Sequence, residues 1–158
     1  MRIQSFNESD IAEVAGLFRE TVRHINSNDY NPDQIETWAS AVNDEEKFKE
    51  RLLTSTTLVA RIDDKIVGFI NLLDNGHLDS LYVHKDFQRQ GIASALLHAI
   101  EIMAKQSSHN LISTDASITA LQFFKQMGFV LVKEQDVNFN GETYRNFMME
   151  KNLQGEDG

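Results

Sequence analysis

The sequence predicts a mixed α/β (α+β) fold, a mostly antiparallel twisted sheet of about seven strands flanked by helices, and three observations carry that expectation. Two β-branched and apolar runs, Thr56 to Ile62 and Ile66 to Leu73, flank the turn residues Asp63-Asp64-Lys65 and read as an antiparallel hairpin. From about Arg89 to Gln106, Ile92, Ala95, Leu96, Ala99, Ile100 and Met103 recur at helical spacing and form the most regular apolar stripe in the chain. Near the end, Asn140-Gly141, a strong hairpin-turn dipeptide, joins Phe129 to Phe139 to a returning strand from Glu142 to Met149.

The other elements are read in chain order. Arg2 to Phe6 alternates as a strand does, and Asn7-Glu8-Ser9-Asp10 opens a helix with Ile11, Val14, Ala15, Phe18 and Val22 on one face. A second helix starts at Pro32, whose fixed φ suits a first turn, with Asn31 as its cap and Ile35, Trp38 and Ala39 on one face. A short third helix covers Glu45 to Leu53. After the turn Asp74-Asn75-Gly76 a strand runs from His77 to Val83. Beyond the long helix come a strand from Asn110 to Thr114 and a helix from Ile118 to Met127, closed by Gly128 in the C′ position. No repeat or linker divides the chain, so residues 1–153 are expected to form one domain, with a frayed tail over residues 154–158.

Bulk properties narrow the function. A chain of 158 residues is long enough for a real hydrophobic core, and 41% hydrophobic with 25% charged residues is ordinary for a globular protein. No apolar run reaches the length of a membrane span, no export signal opens the chain, and there is no cysteine. These features predict a cytoplasmic protein without disulfides or thiolate catalysis. The net charge of −9 disfavours nucleic acid and anionic membrane as partners. His24, His84, His98 and His109 show no metal-ligand spacing, so no metal is expected.

The long helix poses a chemical question at its start. Gln88-Arg89-Gln90-Gly91 precedes it with no Ser, Thr, Asp or Asn directly before the first turn, so its opening amides lack an obvious acceptor. Free N–H groups and the positive end of the helix dipole favour an anion there, and Gly91 lets a ligand approach the backbone.

In this context the sequence resembles the GNAT superfamily of N-acetyltransferases. The resemblance spans roughly residues 1–151 in element order. Its specific motif is Gln/Arg-x-x-Gly-x-Gly/Ala after a strand ending in Val, matched by Gln88-Arg89-Gln90-Gly91-Ile92-Ala93 after Val83. The stretches HINSNDYNPDQIETWA and DASITALQFFKQMGFV look more narrowly like the bacterial YafP-like branch. The resemblance implies a GNAT acyl-CoA N-acyltransferase fold, splayed near Val83, that binds acetyl-CoA as cosubstrate. Backbone amides of Gln88, Arg89, Gln90, Gly91, Ile92, Ala93 and Ser94 would then hold the pyrophosphate. Leu81, Tyr82 and Val83 would meet the pantetheine arm. The implied reaction is direct transfer of acetyl to a primary amine, a small molecule or peptide, in a ternary complex formed by a monomer or homodimer. The competing readings are a non-catalytic acyl-CoA sensor on the same fold and, ranked lower, a nucleotide-phosphate enzyme using the same loop.

The family commonly places a Glu base six positions before the Val, which is His77 here. A His is apt to take a proton near neutrality. On an alternating strand His77, Asp79, Leu81 and Val83 share a face, so Asp79 is the candidate to orient His77. His77 is equally readable as an exposed residue after the Asn75-Gly76 turn, whereas a carboxylate inside a strand needs a partner or a task. The Tyr that serves as general acid in the family is replaced by Phe124, and the Asn that contacts the cofactor arm by Ser117. Tyr82, Tyr144 or water is then left as the acid, or the CoA thiolate leaves unprotonated. Tyr144 is also readable as a cross-strand packing residue. Tyr30, His24 and Asp29, with Trp38, lie in the early helical region that covers the acceptor side in this family.

Overall fold

The structure, a computed structural model, describes residues 1–154, so the expected tail lies outside the described residues except for Gln154. Seven strands, β1 (Arg2–Ser5), β2 (Thr56–Ile62), β3 (Lys65–Leu72), β4 (His77–Val83), β5 (Leu111–Ser117), β6 (Val130–Phe139) and β7 (Glu142–Asn152), form one sheet in the order β1-β2-β3-β4-β5-β7-β6. Helices α1 (Ile11–His24), α2 (Pro32–Ala39) and α3 (Glu45–Leu53) cover one face, and α4 (Ile92–Gln106) and α5 (Leu121–Gln126) cover the other. Helix α2 begins as its sequence predicts, with Pro32 in the first turn and a capping box between Asn31 and Gln34.

The two faces have separate cores. On one, Leu96, Leu97 and Ile100 of α4 pack on Ile70, Leu78 and Ile112, all at most 2% exposed. Such fully enclosed side chains cost ~2–5 kcal/mol each when truncated to Ala. On the other, Val14, Phe18 and Val22 of α1 and Phe48 and Leu52 of α3 close over Val59 and Phe69. Gly68 of β3 allows α4 to lie this close, because a Cβ there would stand 3.0 Å from Leu96 Cδ1 and 3.1 Å from both Ile92 Cγ2 and the Tyr82 carbonyl.

Every strand pair is antiparallel except β4–β5, which is parallel and pairs only at His77↔Ser113 and Leu78↔Thr114. Beyond those residues the two strands part, and the sheet splays in its middle. Along the splay β4 keeps only its β3 partner. Phe69↔Tyr82 and the bond from His84 N to Val67 O set the alternation, so Leu81 and Val83 turn their backbone groups to the open side.

The sequence places β5 and α5 with one error of extent. Strand β5 continues to Ser117, and α5 starts at Leu121 rather than Ile118. The reason is local: Ser117 Oγ accepts from Ala120 N at 3.1 Å and forms a turn that uses residues 118–120, and the Ile118 amide is taken by Tyr30 Oη.

Candidate active site

The segment between β4 and α4 is held by side chains that fold back on it. His84 Nδ1 accepts from Asp86 N at 3.0 Å, and Gln88 Nε2 donates to the Val83 carbonyl at 2.6 Å. Gln88 therefore closes the loop with its side-chain amide, while its backbone N–H has no acceptor among the described residues. The Val83 carbonyl also accepts from Thr21 Oγ1 at 3.1 Å, so of Val83's backbone groups only its N–H is left to the splay.

Beyond this closure the chain presents a row of free amides. No acceptor among the described residues meets the backbone N–H of any residue from Gln88 to Ser94, and the first bond of α4 runs from Ala95 N to Gly91 O. Arg89 (φ 62°) and Gly91 (φ 82°) are both left-handed, a conformation that bends successive N–H groups toward one concavity. A Cβ on Gly91 would point into open space. Together these features make an anion cradle of backbone donors at the positive end of a 15-residue helix, beside the splay. An acyl-CoA fits this arrangement: a diphosphate in the cradle and an amide-bearing arm along the Leu81 and Val83 backbone.

Strand β4 departs from simple alternation. Its register against β3 shifts between Asn71 and Leu72, leaving Asp79 as the extra residue of a bulge. Leu78, Leu81 and Val83 consequently face α4, whereas Asp79 and Tyr82 face α1 and α3, and the expected shared face of His77, Asp79, Leu81 and Val83 does not form. Asp79 is clamped by Arg51, with Nε to Oδ2 at 2.6 Å and Nη2 to Oδ1 at 2.8 Å, and Asn71 Nδ2 adds a bond of 3.2 Å. Burial by itself would raise the Asp79 carboxyl, but the Arg51 guanidinium and the Asn71 amide outweigh it and hold the group below the usual carboxylate range.

His77 acts on Asp79 through its charge and makes its side-chain contacts across to β5. Its Nδ1 lies 2.9 Å from Ser113 Oγ and its Nε2 3.5 Å from Asp115 Oδ2, so the carboxylate beside the imidazole is Asp115, across the only parallel pairing in the sheet. Sequence reasoning missed Ser113 and Asp115. Their only signal is Ser-x-Asp-x-Ser at period two, Ser113, Asp115 and Ser117 on the same side of β5, away from the buried Ile112 and Ala116.

Asp115 and Ser117 open into a cavity of ≈ 260 Å³ whose other walls are Phe18, Tyr30, Trp38, Ala41, Val137, Phe139, Tyr144 and Asn146. It lies between α2 and the strands β5, β7 and β6. Of the residues expected on the acceptor side, Tyr30 and Trp38 line it. His24 is instead exposed beside Glu20 on α1, and Asp29 accepts from Thr119 Oγ1 at 2.8 Å outside the walls. Both sit at a helix end or loop whose direction the sequence pattern does not specify.

The tyrosines are committed to neighbours. Tyr30 Oη donates to the Arg145 carbonyl at 2.7 Å and accepts from Ile118 N at 2.9 Å, and Tyr144 Oη donates to the Gln34 carbonyl at 2.8 Å. Tyr82 Oη accepts from Trp38 Nε1 at 3.2 Å, and burial pushes its phenol far above the usual range. Phe124 is 4% exposed, packed edge-on against Phe129 and Phe123, so it is a core residue and offers almost no surface to a cofactor arm. No cluster of three or more metal-ligating side chains occurs among the described residues, and no described helix is long and apolar enough to cross a membrane.

Comparison with known proteins gives a consistent answer. A family model described as an acetyltransferase (GNAT) domain matches residues 26–153. The chain is 36% identical over 149 residues to the N-acetyltransferase YafP of Escherichia coli (strain K12), covering 94% of both chains. A crystal structure of a GCN5-related N-acetyltransferase from Rhodopseudomonas palustris superposes with a TM-score of 0.93 at 34% identity, over 96% of this chain and 94% of that one. The PaiA N-acetyltransferase of Thermoplasma acidophilum, solved with coenzyme A, shares the fold at a TM-score of 0.80 and 20% identity, over 96% and 98% of the two chains.

Proposed function

The chain belongs to the GNAT acetyltransferase family and transfers acetyl from acetyl-CoA to an amine, and from that premise we propose which of its residues carry each part of the reaction. The carrying observation is the unbroken row of unaccepted amides from Gln88 to Ser94, opening α4 beside the splay. These amides hold the pyrophosphate, and the left-handed Gly91 keeps the approach clear of any Cβ. Leu81 N–H and C=O and Val83 N–H pair with the arm as an added strand pairs with an edge. Ser117, at the end of β5, borders the same splay. Acetyl-CoA supplies the acetyl group as an activated thioester.

The amine enters through the aromatic cavity and meets Asp115 at its wall. His77 acts as the base. Nδ1–H donates to Ser113 Oγ, which leaves the Nε2 lone pair to take the proton from the amine, and Asp115 next to Nε2 steadies the imidazolium that forms. Asp79 is a positioning residue. Both its oxygens are held by Arg51, and its depressed pKa makes it a poor proton acceptor, so it anchors the β4 bulge to α3 at the point where the strands part.

Neither tyrosine candidate is the proton donor to the leaving thiolate. Tyr144 spends its proton on Gln34, and a phenol as weakly acidic as Tyr82 gives a hydrogen bond more readily than a proton. A thiol has an ordinary pKa of about 8.5, so the thiolate is a tolerable leaving group near neutrality. Attack is direct, because the chain has no cysteine to carry an acyl group. Residues 1–153 act as one catalytic unit in the cytoplasm, as a monomer or homodimer. The enzyme relatives weigh against a sensor that binds acyl-CoA without turnover.

The test combines calorimetric titration with CoA and thiol release over a panel of primary amines. Binding in the micromolar range, with amine-dependent thiol release that His77→Ala reduces at least 100-fold, supports the assignment. Turnover that survives His77→Ala within threefold removes His77 as the base, and absence of CoA binding removes the cradle.

A further inference from the structure

The cavity beside Asp115 has a chemical character of its own, and it identifies the class of acceptor. We propose that the acceptor is a small primary amine with one positive charge and an apolar, ring-sized body; the inference deepens the N-acetyltransferase reading and rests on it.

The walls are chiefly aromatic. Tyr30, Trp38 and Tyr144 pack mutually, with ring centroids 5.3 to 6.0 Å apart, and Phe18 and Phe139 extend the surface. Each ring with a polar handle has already used it. Tyr30 Oη bonds the Arg145 carbonyl and the Ile118 amide, Tyr144 Oη the Gln34 carbonyl, and Trp38 Nε1 the Tyr82 hydroxyl. The rings therefore present π surface to the cavity, which suits an apolar body and attracts a cation.

The one charged group among the lining residues is an acceptor. Asp115 brings a carboxylate, with Oδ1 bonded to Gln135 Nε2 at 3.1 Å and Oδ2 turned to His77. Asn146 Oδ1 is buried with no donor among the described residues. Ser117 Oγ accepts from the Ala120 amide. No Lys or Arg lines the cavity. A carboxylate and an unmet amide oxygen call for a donor-rich ammonium.

The same inventory excludes other acceptors. A polyamine or an amino sugar with several ammonium groups would bring more positive charge than the single carboxylate of the wall answers. An amino acid would set its own carboxylate against Asp115. The volume of ≈ 260 Å³ lies just under the usual range for drug-sized ligands, about 300–1,000 Å³, which points to a small molecule.

Trp38 is the chain's single tryptophan and lines the cavity, so intrinsic fluorescence reports occupancy without turnover. With the full chain held in CoA, phenethylamine is titrated against spermidine, phenylalanine and the uncharged 2-phenylethanol. Phenethylamine should bind at least tenfold tighter than each of the others, and Asp115→Asn should erase its advantage over 2-phenylethanol while the calorimetric Kd for CoA moves less than twofold. Equal or tighter binding of spermidine or phenylalanine overturns the proposal, as does a silent fluorescence signal with phenethylamine. The ligand comparison stands without any variant, so a misfolded Asp115→Asn chain leaves it decisive. If CoA binds and spermidine is acetylated in preference, the specificity fails and the acetyltransferase reading survives. If CoA itself does not bind, it is that reading which fails.

Discussion

The cradle at Gln88 to Ser94 and the cavity at Asp115 lie on neighbouring parts of one splayed sheet, yet they are made of opposite materials. In the cradle the groups left open are main-chain amides, and the side chains serve the loop itself, as Gln88 does by closing on Val83. In the cavity the walls are side chains: five aromatic rings, one carboxylate, a hydroxyl and an amide. A backbone site needs only the right dihedrals and a missing Cβ, whereas a side-chain site needs residues from distant segments to converge.

The strongest way to break this contrast is at the base. His77→Ala should lower kcat by at least ~100-fold, the usual range for losing a general base, with the KM for acetyl-CoA nearly constant. A parallel rise in that KM would show that His77 belongs to cofactor binding. Next is Gly91→Leu, which forces a side chain onto a left-handed residue and into the approach to the amides. We expect the Kd for CoA to rise about 30-fold or more by calorimetry, about 2 kcal/mol.

A smaller effect is expected at Asp79. Its folded pKa lies below the unfolded value of about 3.9, so the stability it contributes is complete above that pH and is lost as pH falls through the folded pKa. Asp79→Asn should cost about 1–2 kcal/mol at pH 7, at the low end because Arg51 is half exposed, and should flatten the acid limb of a Tm-against-pH curve below pH ~4. An unchanged acid limb would mean the pair is not coupled to folding. The smallest effect sharpens the contrast most: Gln90→Ala, an exposed side chain within the cradle, should shift the CoA Kd less than threefold. A tenfold loss there would make the cradle a side-chain site after all.

The difference in materials also explains what was legible in advance. The loop could be read because Gly91, the capless helix start and the distance from Val83 are all local, and the long stripe from Ile92 to Met103 placed α4 within three residues of its observed start. Phe124 and Ser117 show the limit of position matching. One is core and the other a turn-forming strand end, and which of these a residue becomes depends on what packs over it. The sequence offers His77 with Asp79, and the structure adds Asp115, 3.5 Å from the imidazole on another strand. Alternation along β4 puts His77 near Asp79, and Asp79 does feel its charge, but the bulge turns Leu81 and Val83 to the other face and a second carboxylate comes from β5, 38 residues downstream.

The sequence by itself determined the elements, their order, the two-faced sheet and the anion loop, because periodicity, turn chemistry and helix-end amides are properties of neighbours in the chain. Only the tertiary structure decided that β4 and β5 pair for two residues and then part, that Arg51 claims Asp79, and that Asp115 comes within 3.5 Å of His77. Those outcomes depend on register and on packing between segments far apart in the chain, and a one-residue bulge is enough to redirect them.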